Sequence, residues 1–177
     1  MSDRERILSV IGGSTGVALP SPWPGPSLEG ALENRFESEL KTLGAELVTA
    51  DRLKELAGAS VFADSDVPEP LLRGLVRTED VWSADLGITL ADYGIADTGS
   101  LLLTAGPGRN RLASLAPPHH IAVLSRTRIL DTAEAAIEVL PSRTAVIVSG
   151  PSRTADIEGV IVRGIHGPRR LWVLLTD

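Results

Sequence analysis

Short apolar segments alternate with helical patterns along most of this chain, and that alternation restricts its fold more than any other feature. After Ser27, a suitable helix cap, leucines and Phe36 recur at helical spacing until Gly44 stops the pattern. The other helix candidates are 51–57, 67–76, 131–140 and 156–162, and the strand candidates are 45–49, 61–62, 120–124, 145–148 and 171–175. Alternating α and β segments favour an α/β fold, with a mainly parallel sheet flanked by crossover helices.

The middle of the chain departs from this alternation. Two apolar stretches, 88–96 and 100–104, are separated only by Asp97, Thr98 and Gly99. So short a separation predicts adjacent strands in a hairpin, with Gly99 serving the turn.

The N-terminal segment predicts an arm. Gly12, Gly13 and the Pro-rich run 20–26 break regular structure, so we interpret 1–26 as an arm with a Pro-stiffened linker and 27–177 as one domain. With 177 residues, 43% of them hydrophobic, the chain can bury a core without disulfides or a structural metal.

Composition excludes several classes of function. The chain has no cysteine, which excludes disulfides, thiolate nucleophiles and Cys-ligated zinc or iron–sulfur clusters. A net charge of −6 and few aromatic residues argue against nucleic-acid binding. No apolar run approaches the roughly 20 residues that span a bilayer, and the N-terminus lacks the apolar core of a secretory signal, so we expect a cytoplasmic protein. With three His and no suitable carboxylate spacing, we predict no metal and no cofactor in this chain.

The loop between the strand candidate 145–148 and the helix candidate 156–162 is suited to an anion. N–H groups at a helix start lack internal partners and carry positive dipole character, and hydroxyls with a guanidinium add donors for phosphate or carboxylate. The candidate residues are Ser149, Gly150, Ser152, Arg153, Thr154 and Asp156. The alternative is that the hydroxyls cap the helix, glycine and proline make turns, and Arg153 pairs with Asp156 or Glu158.

His166 lies between Gly164 and Gly167, which allow tight turns and expose its ring. A histidine there can donate to an oxyanion or act as a base, although an exposed turn histidine is the commoner case. A helix over 156–163 would place His166 far from the loop at 149–154, so only contact across a subunit interface would bring both to one ligand.

A further candidate site is the turn of the predicted hairpin, Asp97, Thr98, Gly99 and Ser100. A carboxylate beside hydroxyls and backbone donors can act as a base or hold a nucleophile. The same four residue types are also those of an ordinary hairpin turn.

Two more features carry polar chemistry. The basic loop 109–111, with Arg111, can hold a negative group or form surface ion pairs. His119 and His120 begin a strand candidate, and because neighbouring strand residues point to opposite faces, at most one of them can face a site.

Taken in order, four segments resemble the lactate-utilisation LUD domain, and more narrowly its LutC (YkgG) subgroup. They are Ala-Asp-Tyr-Gly-Ile-Ala-Asp-Thr-Gly-Ser-Leu at 91–101, Pro-Pro-His-His-Ile-Ala-Val at 117–123, Ser-Gly-Pro-Ser-Arg-Thr-Ala-Asp-Ile-Glu at 149–158 and Gly-Ile-His-Gly-Pro at 164–168. The resemblance covers roughly 28–177. The third and fourth segments are specific when they occur together.

The resemblance implies a NagB/RpiA/CoA transferase-like fold and a role in bacterial oxidation of L-lactate to pyruvate, alongside two iron–sulfur partner proteins. It places Asp97, His120 and His166 among the site residues. The family usually has Glu where this chain has Asp97, which withdraws the carboxylate by one methylene. The absence of cysteine fits a subunit that carries no cluster.

Two other functions remain open. One is a free-standing enzyme or binding protein for a small phosphorylated or carboxylated metabolite that uses the loop at 149–154. The other is a scaffold without a ligand. Family membership assigns a pathway and leaves the reaction of this chain undefined.

Overall fold

The computed structural model describes residues 5–6, 30–140, 144–155 and 161–177. The predicted arm and linker at 1–26 lies outside these ranges apart from Glu5 and Arg6. The described helices are α1 (Leu32–Thr42), α2 (Ala50–Glu55) and α3 (Ala133–Glu138), with 3-10 turns at Glu69–Leu72, Arg111–Ser114 and Arg126–Arg128. Within those ranges, no helix combines the length and apolar character needed to cross a membrane.

The described strands form a large parallel sheet, a second smaller sheet and one separate hairpin. They are β1 (Glu46–Val48), β2 (Ser60–Ala63), β3 (Val76–Arg77), β4 (Leu86–Leu90), β5 (Tyr93–Ile95), β6 (Ser100–Thr104), β7 (His119–Ser125), β8 (Ile129–Leu130), β9 (Ala145–Val148), β10 (Arg153–Ala155), β11 (Ile161–Arg163) and β12 (Arg170–Thr176). The large sheet has the order β1-β12-β7-β4-β2-β3, and every neighbouring pair in it is parallel. The predicted mainly parallel α/β architecture is confirmed.

The second sheet has the order β8-β5-β6-β9. Its β5 and β6 pair antiparallel around Gly99, so the predicted hairpin is confirmed. The apolar stretch 88–96 is not one strand, because the chain leaves the large sheet after Leu90 and enters the second sheet at Tyr93.

One predicted helix is wrong, and another lies mostly outside the described residues. The segment 67–76 forms only a 3-10 turn at Glu69–Leu72 and then β3, because Pro68, Pro70 and Gly74 do not sustain an α-helix. Of the helix predicted over 156–162, residues 156–160 lie outside the described ranges, and Ile161 and Val162 belong to β11, which pairs antiparallel with β10. The β-branched residues of this pair favour strands, since they lose side-chain freedom in a helix.

Apolar layers cover both faces of the large sheet. On one face, Ala122 and Leu124 of β7 pack with Phe36 and Leu40 of α1 and with the second sheet. On the other face, the alternate residues of β7 and β12 pack with α2 and the 3-10 turn at 69–72. Continuous apolar sequence in β7 and β12 therefore follows from burial on both faces.

Gly99 marks the closest approach between α1 and the β5–β6 hairpin. Its φ is +63°, and a Cβ there would lie 2.2 Å from the backbone nitrogen of Leu40. Gly58 has a φ of +87° but no heavy atom within 4 Å of the corresponding position. Substitution at Gly58 would therefore cause backbone strain alone, whereas substitution at Gly99 would cause backbone strain and steric overlap.

We predict that Gly99→Ala lowers the free energy of unfolding by roughly 2–5 kcal/mol, because strain in the left-handed region adds to overpacking against α1. The matched control Gly58→Ala should cost only about 1 kcal/mol, from strain alone. Urea unfolding of both variants measures the difference. Equal losses would show that α1 does not pack tightly on this turn.

Candidate functional site

The carboxyl ends of β2 and β4 bound a crevice in the large sheet. After β2 the chain continues to the edge strand β3, whereas after β4 it crosses to the second sheet and then to β7 on the other side. Connections that diverge in this way leave an opening outside the carboxyl ends of a parallel sheet, which is where such sheets bind ligands.

Asp64 follows β2 directly and lies in this crevice. Its side chain is buried, with only 4% of the residue exposed, and its Oδ1 accepts a hydrogen bond from the backbone N–H of Asn110 at 3.0 Å. Burial raises the pKa of Asp64 to about 6, the nearby Asp66 charge adds to the shift, and the Asn110 hydrogen bond opposes it. A carboxyl group that titrates near neutrality in a cleft can accept or deliver a proton.

Arg109 forms ion pairs with acidic residues that follow two different strands at the crevice. Its Nε donates to Asp66 at 2.7 Å and its Nη1 donates to Asp92 at 2.7 Å. Asp92, which follows β4, also accepts bonds from the N–H and hydroxyl of Thr104. This network connects the ends of β2, β4 and β6 and fixes the loop that contains Arg109.

A cavity of about 560 Å³ lies between the end of β2, residues 62–65, and the loop 105–111. Arg111 lines it, is exposed, and forms no ion pair with any residue that the structure describes. Along the same edge, a second cavity of about 210 Å³ is lined by Asp92, Arg109 and Arg128, among others. The guanidinium of Arg128 lies 5.3 Å from the centroid of the Tyr93 ring.

His120 is fully buried beneath the crevice. Its Nε2 lies 2.9 Å from the hydroxyl of Thr89, and its Nδ1 has no hydrogen-bond partner among the described residues. Burial lowers the pKa of His120 to about 4, so the ring is neutral at pH 7. Thr89 in turn lines the inner end of the crevice with Asp64 and Arg111. His119 stacks on Trp172 instead, which confirms that the two histidines face opposite sides.

The predicted anion loop packs on the carboxyl end of α1. Arg153 donates to the carbonyl of Leu43, and a Cβ on Gly150 would lie 2.9 Å from the same carbonyl oxygen. The carboxyl end of a helix carries negative partial charge, so Arg153 stabilises a helix terminus here. Because Arg153 begins β10, the argument from a helix N-terminus does not apply to this loop.

The turn 97–100 meets the same loop. The hydroxyls of Ser100 and Ser149 lie 2.8 Å apart, so the sequence candidates of these two segments do converge. Asp97 has one buried carboxylate oxygen without a hydrogen-bond partner among the described residues, and Thr98 is exposed. Gly99 contacts α1 as described above, which gives it a packing role.

His166 is close to the loop at 149–154 rather than remote from it. The N–H of Ser152 donates to the carbonyl of Pro168 at 2.9 Å, and the N–H of Gly164 donates to the carbonyl of Ser152 at 3.0 Å. A Cβ on Gly167 would lie 3.2 Å from Cβ of Ser152. The expectation that His166 lies far from this loop is therefore wrong.

His166 and Gly167 line a groove of about 360 Å³ at the amino ends of β7 and β12, together with Trp82, Ile165 and Arg169. This groove is at the sheet edge opposite the crevice. Thr154 pairs with Val162 in the β10–β11 hairpin, and Asp156 lies outside the described residues. The predicted site residues that the structure describes thus fall in three places, and among them only Arg111 lines the crevice directly.

Sequence reasoning missed Asp64 and Asp92. Each follows a buried strand, in Val-Phe-Ala-Asp and Ile-Thr-Leu-Ala-Asp respectively. The available signal was an acidic residue within two positions of the end of each of two strands, since the carboxyl ends of parallel strands meet at one edge of the sheet. The order of the strands, which makes the two ends neighbours, was not available.

The fold and this edge define the chain as an α/β protein with a ligand-sized crevice at the carboxyl ends of parallel strands. Residues 61–176 match the model of the LUD domain family. The chain belongs to that family, and the resemblance seen in its motifs is confirmed.

Relatives of the chain carry related names. It is 33% identical to lactate utilization protein C of Deinococcus radiodurans over 96% of this chain and 92% of that protein. It is 38% identical to lactate utilization protein C of Halalkalibacterium halodurans, but over 56% of this chain and 47% of that protein. The chain therefore spans about half the length of some relatives and nearly all of another.

The crystal structure of a DUF162 family protein from Deinococcus radiodurans has a similar fold. The TM-score is 0.63 at 22% identity, over 82% of this chain and 96% of that chain.

Asp64 and His120 predict opposite pH dependences of stability. Folded Asp64 binds a proton up to about pH 6 whereas the ordinary value is 3.8, so its contribution to the free energy of unfolding falls as pH rises through this interval. Folded His120 stays neutral down to about pH 4 whereas the ordinary value is 6.5, so its contribution falls as pH decreases through that interval. Each effect is about 2–3 kcal/mol, and in the wild type they oppose each other.

Asp64→Asn and His120→Gln should separate the two effects. From pH 6.5 to pH 4, Asp64→Asn should lose about 2–3 kcal/mol relative to the wild type, and His120→Gln should gain a similar amount. Urea unfolding across this pH range provides the measurement. If all three proteins share one pH dependence, neither residue has the shifted pKa assigned to it.

We also predict that Arg153→Ala destabilises the protein by roughly 1–2 kcal/mol, because the carbonyl of Leu43 loses a charged donor at a helix terminus. Arg163, which is opposite Arg153 in the β10–β11 hairpin and is exposed, supplies the control. Arg163→Ala should change stability by less than about 0.5 kcal/mol. Thermal or urea unfolding that ranks the two variants the other way would contradict the capping role.

Proposed function

We propose that this chain acts in the oxidation of L-lactate to pyruvate, as the non-iron–sulfur subunit that works with iron–sulfur partner proteins. The observation that carries this proposal is the match to the Deinococcus radiodurans lactate utilization protein C, which extends over nearly the whole of both chains. A match that covers only half of a relative does not show which half carries the activity in its name.

The chemistry of the chain supports a division of labour. Oxidation of lactate to pyruvate removes two electrons and two protons from the carbon that bears the hydroxyl and from that hydroxyl. This chain has no cysteine and so offers no thiolate to an iron–sulfur cluster. In the proposal, cluster-bearing partners accept the two electrons, the crevice of this chain binds the acid, Asp64 accepts one proton, and the second proton passes to solvent.

A second candidate function is a free-standing enzyme or binding protein for a small carboxylated or phosphorylated metabolite. The crevice favours it, because Asp64 and Arg111, which has no ion pair among the residues that the structure describes, line one cavity without help from another chain. Under this alternative the protein would act on or bind its ligand in the absence of partners.

We expect deletion of the gene to abolish growth on L-lactate as sole carbon source, in a host that lacks other lactate dehydrogenases, and to leave growth on pyruvate unchanged. Growth on pyruvate is the control, since it enters metabolism after the proposed step. Complementation with the wild-type gene should restore growth on lactate. Normal growth of the deletion strain on lactate would refute the proposed role.

Anaerobic purification of the tagged chain from its host tests the partner assignment. Because the chain has no cysteine, iron, sulfide and cluster absorbance in the purified material would come from co-purifying proteins. The same chain purified from an unrelated host is the control and should be colourless. Cluster-free material from the native host, obtained during growth on lactate, would favour the free-standing alternative.

A further inference from the structure

We propose that the crevice at the carboxyl ends of β2 and β4 binds a small monocarboxylate that carries a hydroxyl group, with Arg111 holding the carboxylate and Asp64 bonding the hydroxyl. The choice of a hydroxy acid among small anions rests on the proposed function. The location of the site and the roles of the two residues rest on the structure.

The argument begins with the charges that line the crevice. Arg109 is committed to two carboxylates, Asp66 and Asp92, at 2.7 Å each. Arg111 and Asp64 line the same cavity, and neither forms an ion pair with a residue in the described part of the chain. The site therefore offers one guanidinium and one carboxyl group that have no ion pair within the described ranges, although the charge of Arg109 acts on Asp64 from nearby.

The carboxyl group of Asp64 retains capacity for a ligand. The backbone N–H groups of Asn110 and Leu90 face it, and a carboxylate has about four acceptor positions. A hydroxyl group of a bound molecule can donate to one of those left. When Asp64 is protonated, the direction of that hydrogen bond reverses, and the contact is kept.

The charge balance selects a monocarboxylate over phosphate. Asp64 is the acidic side chain that lines the cavity. Arg109 is bonded to Asp66 and Asp92. A dianion would therefore meet one acidic group and one guanidinium, that of Arg111, which has no ion pair among the described residues. A monoanion matches the single guanidinium, which binds carboxylates through two parallel N–H donors. The open cavity of about 560 Å³ is larger than a three-carbon acid requires, so we expect weak binding.

Calorimetry or ligand-observed NMR on the full chain tests the site, with L-lactate, propionate and inorganic phosphate as probes. Propionate has the carbon chain and carboxylate of lactate but no hydroxyl. We expect L-lactate to bind more tightly than propionate and phosphate. Equal affinity for lactate and propionate would refute the hydroxyl contact, tighter binding of phosphate would refute the selection by charge, and no binding of either carboxylate would refute the site.

Substitutions assign the two residues. Arg111→Gln should weaken lactate binding by about tenfold or more, because a charge-assisted contact is lost. The control Arg73→Gln removes an exposed arginine outside the crevice and should leave affinity unchanged. Asp64→Leu should remove the preference for lactate over propionate. If that variant does not fold, the comparison of lactate with propionate in the wild-type protein still tests the hydroxyl contact, and Arg111→Gln still tests the carboxylate contact. Unchanged lactate affinity in Arg111→Gln would overturn the proposal.

Failure of this site and failure of the proposed function give different results. A chain that binds no carboxylate, in a host that needs it for growth on lactate, refutes the site and leaves the pathway role intact. A chain that binds lactate through Arg111, in a deletion strain that grows normally on lactate, keeps the site and refutes the pathway role.

Discussion

The position of α1 between the large sheet and the second sheet is the constraint on which the rest of the structure depends. Phe36 and Leu40 are fully buried there, among residues of β6, β7 and β12. The carboxyl end of the helix rests on Gly99 and is bonded by Arg153. The turn 97–100 and the loop 149–154 both have the composition of a ligand site, yet both pack against the carboxyl end of α1. The same chemistry that suits a free anion, a guanidinium beside glycines and hydroxyls, also suits the negative end of a helix dipole.

Because those two segments pack on α1, the polar side chains that are available to a ligand lie at the carboxyl ends of the strands of the large sheet. There, Arg109 joins Asp66 and Asp92, and about four-fifths of the Arg109 and Asp92 side chains are removed from solvent. Charge pairs of this kind contribute more to geometry than to net stability, because desolvation offsets much of their attraction. Their effect here is to hold the loop 105–111 against β2 and β4. That loop covers Asp64, and the resulting burial raises the pKa of its carboxyl group.

The sequence predicted the parallel sheet, the hairpin around Gly99 and the helix that ends before Gly44, because these depend on local periodicity and turn residues. It did not predict the β10–β11 hairpin, since periods of 3.6 and 2 cannot be distinguished in so short an apolar segment. The sequence did not predict the crevice, for a different reason. Asp64 and Asp92 become neighbours only through the order of β2 and β4 in the sheet, and strand order arises from long-range packing. The sequence indicated Arg111 because its loop is basic. The ion pairs of Arg109 with two carboxylates could be recognised only in the three-dimensional structure.

The openness of the crevice bears on how such a site can work. A cavity that faces solvent along the loop 105–111 does not exclude water from a bound acid, and water weakens every charge interaction inside it. In the proposed function, removal of electrons from the acid takes place only after a second surface covers this edge. The partner that accepts the electrons is the natural candidate for that surface, because electron transfer also requires it to be close. The division between a chain that binds the acid and partners that carry clusters would then have a physical basis: this chain binds the acid, and the partner supplies both the oxidant and the surface that excludes water.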